Sequence, residues 1–183
     1  MSILQFLGLG KESKDDPGKR STALGDTETV RRIIAALDKM EPERARFIAA
    51  FAYILCRVAR ADLRISSSET NAMEHIVMNH GRLPEEQAIL VVQMAKTQSN
   101  LFGGTENFLV TREFDRIATR EQKLELLDCL FAVAAAEQGI SVMEDNEIRQ
   151  IARELHLDHP DFIRARAPWA DRLNVMKNLP GRG

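Results

Sequence analysis

The chain has 183 residues, enough for one well-formed core or two small fused units, and its 25 Lys plus Arg against 27 acids give a net charge of -2. That balance supplies no bulk positive field, which excludes an electrostatic case for binding nucleic acid or an anionic membrane surface. Hydrophobic residues make up 44% and aromatics only 5%, so helices packed closely on Ala, Leu and Ile are expected, and no apolar run approaches the roughly 18 residues of a membrane span.

Met1 to Gly10 is apolar but lacks the basic start and small-residue cleavage site of a signal peptide. Lys11, Asp15, Asp16, Pro17, Gly18, Lys19 and Arg20 make the next stretch polar and breaker-rich, so residues 1–25 read as an apolar tip on a flexible linker. The tip is expected to pack on the domain; the other readings are a docking arm or an interfacial anchor, and an anchor this short has little membrane affinity alone.

A helical domain is predicted over 26–170. Asp26 or Thr27 caps a first helix reaching about Lys39, with Val30, Ile33, Ile34 and Leu37 on one face. Pro42, at the first helical position, opens a second whose stripe is Phe47, Ala50, Phe51, Ile54, Leu55 and Val58, the spacing of a core helix. The third runs from about Ser67 to His80 and buries Met73, Ile76 and Val77, and Pro84 opens a fourth ending near Gln98. Ser99 to Thr105, with Gly103 and Gly104, is the natural seam between two units.

After the seam a fifth helix covers about Glu106 to Ile117. Thr119 and Gln122 form a capping box for a sixth, with Leu124, Leu127, Phe131 and Ala135 inward, the counterpart of the second. A seventh runs from about Val142 to His156, and Pro160 opens an eighth; residues 171–183 are a tail that frays at Pro180 to Gly183. No window alternates with period two between hairpin signals, so the fold class is all-α with seven or eight helices and no strands.

One stretch occurs twice, 75 residues apart: Ala61, Asp62, Ile65, Ser66 and Glu69 align with Ala136, Glu137, Ile140, Ser141 and Glu144. The match continues with Met73 over Ile148, Ile76 over Ile151 and Val77 over Ala152, which implies a duplicated unit with halves at about 42–98 and 119–170. Each copy follows one apolar helix and precedes another. Ser66 with Glu69, and Ser141 with Glu144, fit a capping box, with Ile65 and Ile140 placed as hydrophobic staples. Asp62 and Glu137 then fall at the end of the preceding helix, where the macrodipole disfavours a negative charge by about 0.3–1 kcal/mol. A turn amide or a nearby Arg would offset that cost, and so would a hard cation held by the carboxylate and helix-end carbonyls.

This doubled pattern resembles that of the TerB-like family, which comprises tellurite-resistance protein B and the related helical domain of membrane-anchored J-domain co-chaperones and carries Ala-Asp-Gly-x-Ile-Ser-x-x-Glu twice. The resemblance covers residues 28 to 168. It implies a helical bundle of two pseudo-symmetric halves, a bacterial cytoplasmic or inner-membrane-associated setting, and a paired acidic site at Asp62, Glu69, Glu137 and Glu144. Leu63 and Gln138 stand where the family has Gly, and Glu137 where it has Asp. A branched residue in a left-handed turn costs about 1 kcal/mol, so the first turn is expected to be rearranged.

Other constellations point to structure. An EF-hand begun at Asp62 would place Arg64 and Met73 at ligand positions. His159-Pro160-Asp161 spells the tripeptide of J-domains but aligns with Leu83-Pro84-Glu85, where Pro and an acid simply begin a helix. His156 and His159 read as a solvated pair rather than metal ligands, and Arg44, Arg46, Arg57, Arg60 and Arg64 as a solvated face with ion pairs. Cys56 and Cys129 lie inside apolar runs and read as buried, reduced core residues of a cytosolic protein.

Two functional expectations follow. The first is a non-catalytic stress or tellurite-resistance module whose paired acids bind a divalent cation, with oxygen ligands favouring Ca²⁺, Mg²⁺ or Mn²⁺ over Zn²⁺. The second is a metal-free helical protein-interaction adaptor, associated with the envelope through its apolar tip or with a co-chaperone. In either case the partner is expected to be another protein and the location the cytoplasm or the inner face of its membrane. No Ser-His-acid set, Gly-rich phosphate loop or HExxH run supports an enzyme.

Overall fold

The computed structural model describes residues 28, 31–59, 67–98, 107–136 and 139–173, and within them not the side chains of 59, 67–69, 96–98 and 107. The expected linker, the first helix's cap at Asp26 or Thr27 and the seam at Ser99 to Thr105 lie outside these residues. In chain order the helices are α1 (31–38), α2 (Pro42–Ala59), α3 (Ser67–Asn79), α4 (Glu85–Gln98), α5 (Asn107–Ile117), α6 (Arg120–Ala135), α7 (Val142–Glu154) and α8 (His159–Arg166), followed by a 3-10 helix at Ala167–Arg172. The fold is all-α; among the described residues the β-type pairing is confined to an isolated bridge between Ile140 and Leu173.

α2 is the centre of the molecule. Pro42 begins it and the Glu41 carbonyl accepts from the Ala45 amide at 2.9 Å, so the proline's missing N–H falls where no partner was needed. Every residue from Phe47 to Cys56 is buried, more than the expected stripe, because α2 packs against α4, α5, α6 and α7 at once. Phe47 and Phe51 meet Phe114 of α5 with ring centroids 5.0 and 6.3 Å away. α6 is enclosed in the same way: Leu126, Leu127 and Cys129 to Ala135 are buried beneath α2, α3, α7 and α8, while Leu124 is partly exposed.

α3 and α7 each have 13 residues and begin 75 positions apart, the period of the sequence repeat. Met73 and Val77 are buried as expected and Ile76 partly so, and their counterparts Ile148, Ile151 and Ala152 are all buried. The prolines open their helices one position away from expectation. Pro84 precedes α4 and its carbonyl accepts from Gln87 and Ala88, whereas Pro160 follows the first residue of α8.

α7 ends in a full Schellman motif: the Leu157 amide donates to the Ala152 carbonyl at 3.0 Å and the His156 amide to that of Arg153 at 3.1 Å. The left-handed position is taken by His156 (φ 54°), a residue type that tolerates this region better than most. At Gly81 a Cβ would stand 2.6 Å from the Val77 carbonyl oxygen and 2.9 Å from Phe51 Cζ, so only glycine lets the chain leaving α3 lie against α2. Among the described residues no helix is long and apolar enough to cross a membrane.

Candidate functional site

Of the four expected site residues, Asp62 and Glu137 lie outside the described residues, and Glu69 is in the first turn of α3 with its side chain undescribed. Glu144 is at the third position of α7. Its carboxylate accepts from the Ser141 amide at 2.8 Å, and Ser141 Oγ accepts from the Glu144 amide at 3.2 Å, the reciprocal pair of a capping box. One carboxylate oxygen is thus engaged, and the group has two. Among the described residues no three His, Cys, Asp or Glu side chains converge as metal ligands would.

The turn before α7 departs from the family pattern in an instructive way. The left-handed residue is Gly139 (φ 100°), one position after Gln138, where the family carries its glycine. A glycine takes this left-handed conformation at no steric cost. The staple expected of Ile140 is not made within α7, because the residue that would complete it is Asp145, paired with Arg166 at 2.6 Å. Ile140 is instead buried and its amide donates to the Arg172 carbonyl at 2.8 Å, which ties the turn to the 3-10 helix.

Between α2, α5 and α7 is a charged cluster whose burial the sequence did not foretell. Arg57, expected on a solvated face, has a side chain only 5% exposed. Its Nε donates to Glu147 at 2.9 Å, and its Nη1 donates to Glu154 at 2.7 Å and to the buried Thr111 hydroxyl at 2.6 Å. Nη2 stands 2.8 Å from the Glu147 carboxylate, and Gln150 donates to Glu154 from the next turn of α7. Burial works against the Arg57 charge, but the two glutamates hold it above its ordinary range; burial likewise pushes Glu154 up, and Arg57 pulls it below the usual carboxylate range. The correction follows from packing: α2 is enclosed on all sides, so its last turn has no solvent face at this position. The available signal was a cation set between Cys56 and Val58 in an apolar run, opposite a helix carrying Glu147 and Glu154 seven residues apart.

Smaller clusters hold the remaining helices. Asp115 accepts from Lys123 at 2.6 Å and pairs with His156 Nδ1 at 3.0 Å, linking α5, α6 and the end of α7; burial pushes its carboxyl up, and Lys123 and His156 bring it below the usual range. His159, exposed, stacks near Phe162, so the two histidines are employed separately. His159-Pro160-Asp161 opens α8 with Asp158 as the cap, and Asp161, 1% exposed, is the third helical position rather than the second. Arg120 donates to its carboxylate at 2.6 Å. Cys56 and Cys129 are buried, and burial pushes the Cys129 thiol far above the reactive range. Exposed apolar side chains gather at the start of α5, Phe108 and Leu109, and of α7, Val142 and Met143.

The family model described as tellurite resistance protein TerB matches residues 47–167, from the middle of α2 past the end of α8 and across both copies of the repeated stretch. No curated protein and no solved structure matches the chain.

Proposed function

The chain belongs to the TerB family, and on that premise we propose that it is a non-catalytic, tellurite-resistance-associated helical module of the bacterial cytoplasm, binding a divalent cation between its two acidic turns. Asp62 and Glu69 from the first turn and Glu137 and Glu144 from the second supply oxygen ligands, which suit Ca²⁺, Mg²⁺ or Mn²⁺. The observation that carries this reading is the doubled acidic stretch, both copies of which fall within the TerB match. The ion would in turn offset the charge of an acid at a helix C-terminus.

A second reading is a metal-free adaptor that docks a protein partner. Phe108, Leu109, Val142 and Met143, between 49% and 75% exposed at the starts of α5 and α7, favour it.

Calorimetric titration of chelator-treated protein with Ca²⁺, Mg²⁺ and Mn²⁺, with melts at saturating ion, separates the two. A ligand at about 100 times its Kd adds roughly 2.7 kcal/mol if it binds only the folded state. The cation reading requires saturable heat and a raised melting temperature, both lost in Glu69→Gln/Glu144→Gln. Gln serves well in that control because Gln122 already fills the same capping position beneath Thr119. Absence of heat and of any shift leaves the acids as caps and favours the adaptor.

A further inference from the structure

α5 turns one side to the core and leaves the other without a partner. Val110, Thr111 and Phe114 are buried, while Phe108, Leu109, Arg112 and Arg116 are exposed. Phe108, Arg112 and Arg116 follow one another at four-residue steps, so they share one face of the helix, with Leu109 beside the first. The face is apolar at its start, where Phe108 is 53% and Leu109 58% exposed, and cationic over the next two turns.

Its charges are incompletely matched. Arg116 donates to Glu113 at 2.7 Å and holds that carboxyl below the usual range against the effect of burial; Arg46 of α2 and Arg112 attract it from nearby. Glu43 of α2 attracts Arg116 in turn. Among the described residues Arg46 and Arg112 form no ion pair of their own, so the face keeps two cations for a ligand.

We propose that this face of α5 docks an acidic amphipathic helical segment of a partner protein, with apolar side chains over Phe108 and Leu109 and carboxylates at Arg112 and Arg46. The inference rests on the adaptor reading above and is independent of the cation. The cations here are all arginine, whose planar fork takes a carboxylate through two parallel hydrogen bonds. Aromatic residues and arginine are also the types enriched in protein interfaces, where lysine is depleted. Eight residues of helix rise about 12 Å, so a partner of two or three turns can set its apolar side chains and its acids against both parts of the face. An anionic lipid surface is the poorer match, because it is negative throughout and repels Glu113, whereas a peptide needs no charge at that point.

The test is a display library of random helical peptides panned on the full chain. Selected peptides are then measured by fluorescence anisotropy against wild type, Arg112→Glu, Phe108→Ser/Leu109→Ser and Glu113→Gln, each checked by a thermal melt. The expected peptides are acidic and amphipathic, and they lose affinity about 10-fold or more in each of the first two variants, whose altered positions are exposed and outside the core. Glu113→Gln, which removes the acid from among the arginines, should bind them more tightly. Selected peptides that are neutral or basic, that bind the first two variants as tightly as wild type, or that bind Glu113→Gln more weakly overturn this inference and leave the adaptor reading standing. Wild-type binding to vesicles of phosphatidylcholine and phosphatidylglycerol that the same variants abolish overturns it in favour of a lipid surface. A wild-type dimer in sedimentation that they dissociate overturns it in favour of a second copy. A chain that selects no peptide overturns the adaptor reading and this inference with it.

Discussion

Replacing Arg57 alone, by Met, should be among the most damaging single substitutions in the chain. Glu147, 34% exposed, turns toward water when the guanidinium is gone, but Glu154 is 8% exposed and cannot. The variant is left with a buried carboxylate and a buried hydroxyl that have lost their strongest partner. Breaking a buried pair by removing one member costs about 3–5 kcal/mol, and at about 2–4 °C per kcal/mol for a domain of this size the melting temperature should fall by roughly 6–20 °C at pH 7. The pH dependence identifies the cause. In the wild type Arg57 overcomes the effect of burial and holds the Glu154 carboxyl below its unfolded value. That contribution is present above the unfolded pKa and is lost as pH falls through the folded one. In the variant burial, the largest influence on the group, is opposed only by hydrogen bonds from Gln150 and Thr111, so the carboxyl moves up and the destabilisation is relieved as pH falls and the group protonates. The gap between the two proteins, measured by calorimetric melts from pH 7 down to about pH 4, should therefore narrow toward acid. A gap under about 2 °C at pH 7, or one that does not change with pH, would refute the assignment of a buried, charge-compensated pair.

Gly81→Ala should lose about 1–3 kcal/mol in urea unfolding, because its Cβ must push apart the Val77 carbonyl and Phe51. Ser141→Ala should cost about 1 kcal/mol by removing one half of the cap of α7, while Glu144→Gln should cost less because the reciprocal bond survives; equal losses would contradict the capping geometry. Asp161→Ala should cost about 2–3 kcal/mol, since a buried carboxylate bonded to Arg120 and to the Asp158 amide is deleted, whereas exposed His159→Gln should stay within about 0.5 kcal/mol. In the native protein Cys129 should resist a thiol reagent and react at the rate of unfolding, because its thiol is enclosed and pushed up by burial; rapid labelling would show that α6 is not the enclosed helix described here.

What could be read from the residues was whatever depends on neighbours in the chain. The capping boxes at Thr119 and Ser141 involve groups three residues apart, so their spelling is nearly their geometry. Prolines and apolar spacing located the starts of α2, α4 and α8 to within a residue, and the doubled motif pointed to the family before any fold was visible. Local spelling failed where a second solution existed. The glycine of the turn before α7 sits one position late, and His156 closes that helix in a left-handed conformation with no glycine to mark it.

Tertiary structure alone decided which faces are inside. An amphipathic stripe reports one buried side, but α2 and α6 are surrounded, and how many neighbours a helix has depends on segments far away in the chain. For the same reason Arg57 read as one of several surface cations. Its partners lie 54, 90 and 97 residues further on, and a charge is tolerated in that interior only because folding brings Thr111, Glu147 and Glu154 to it from two other helices.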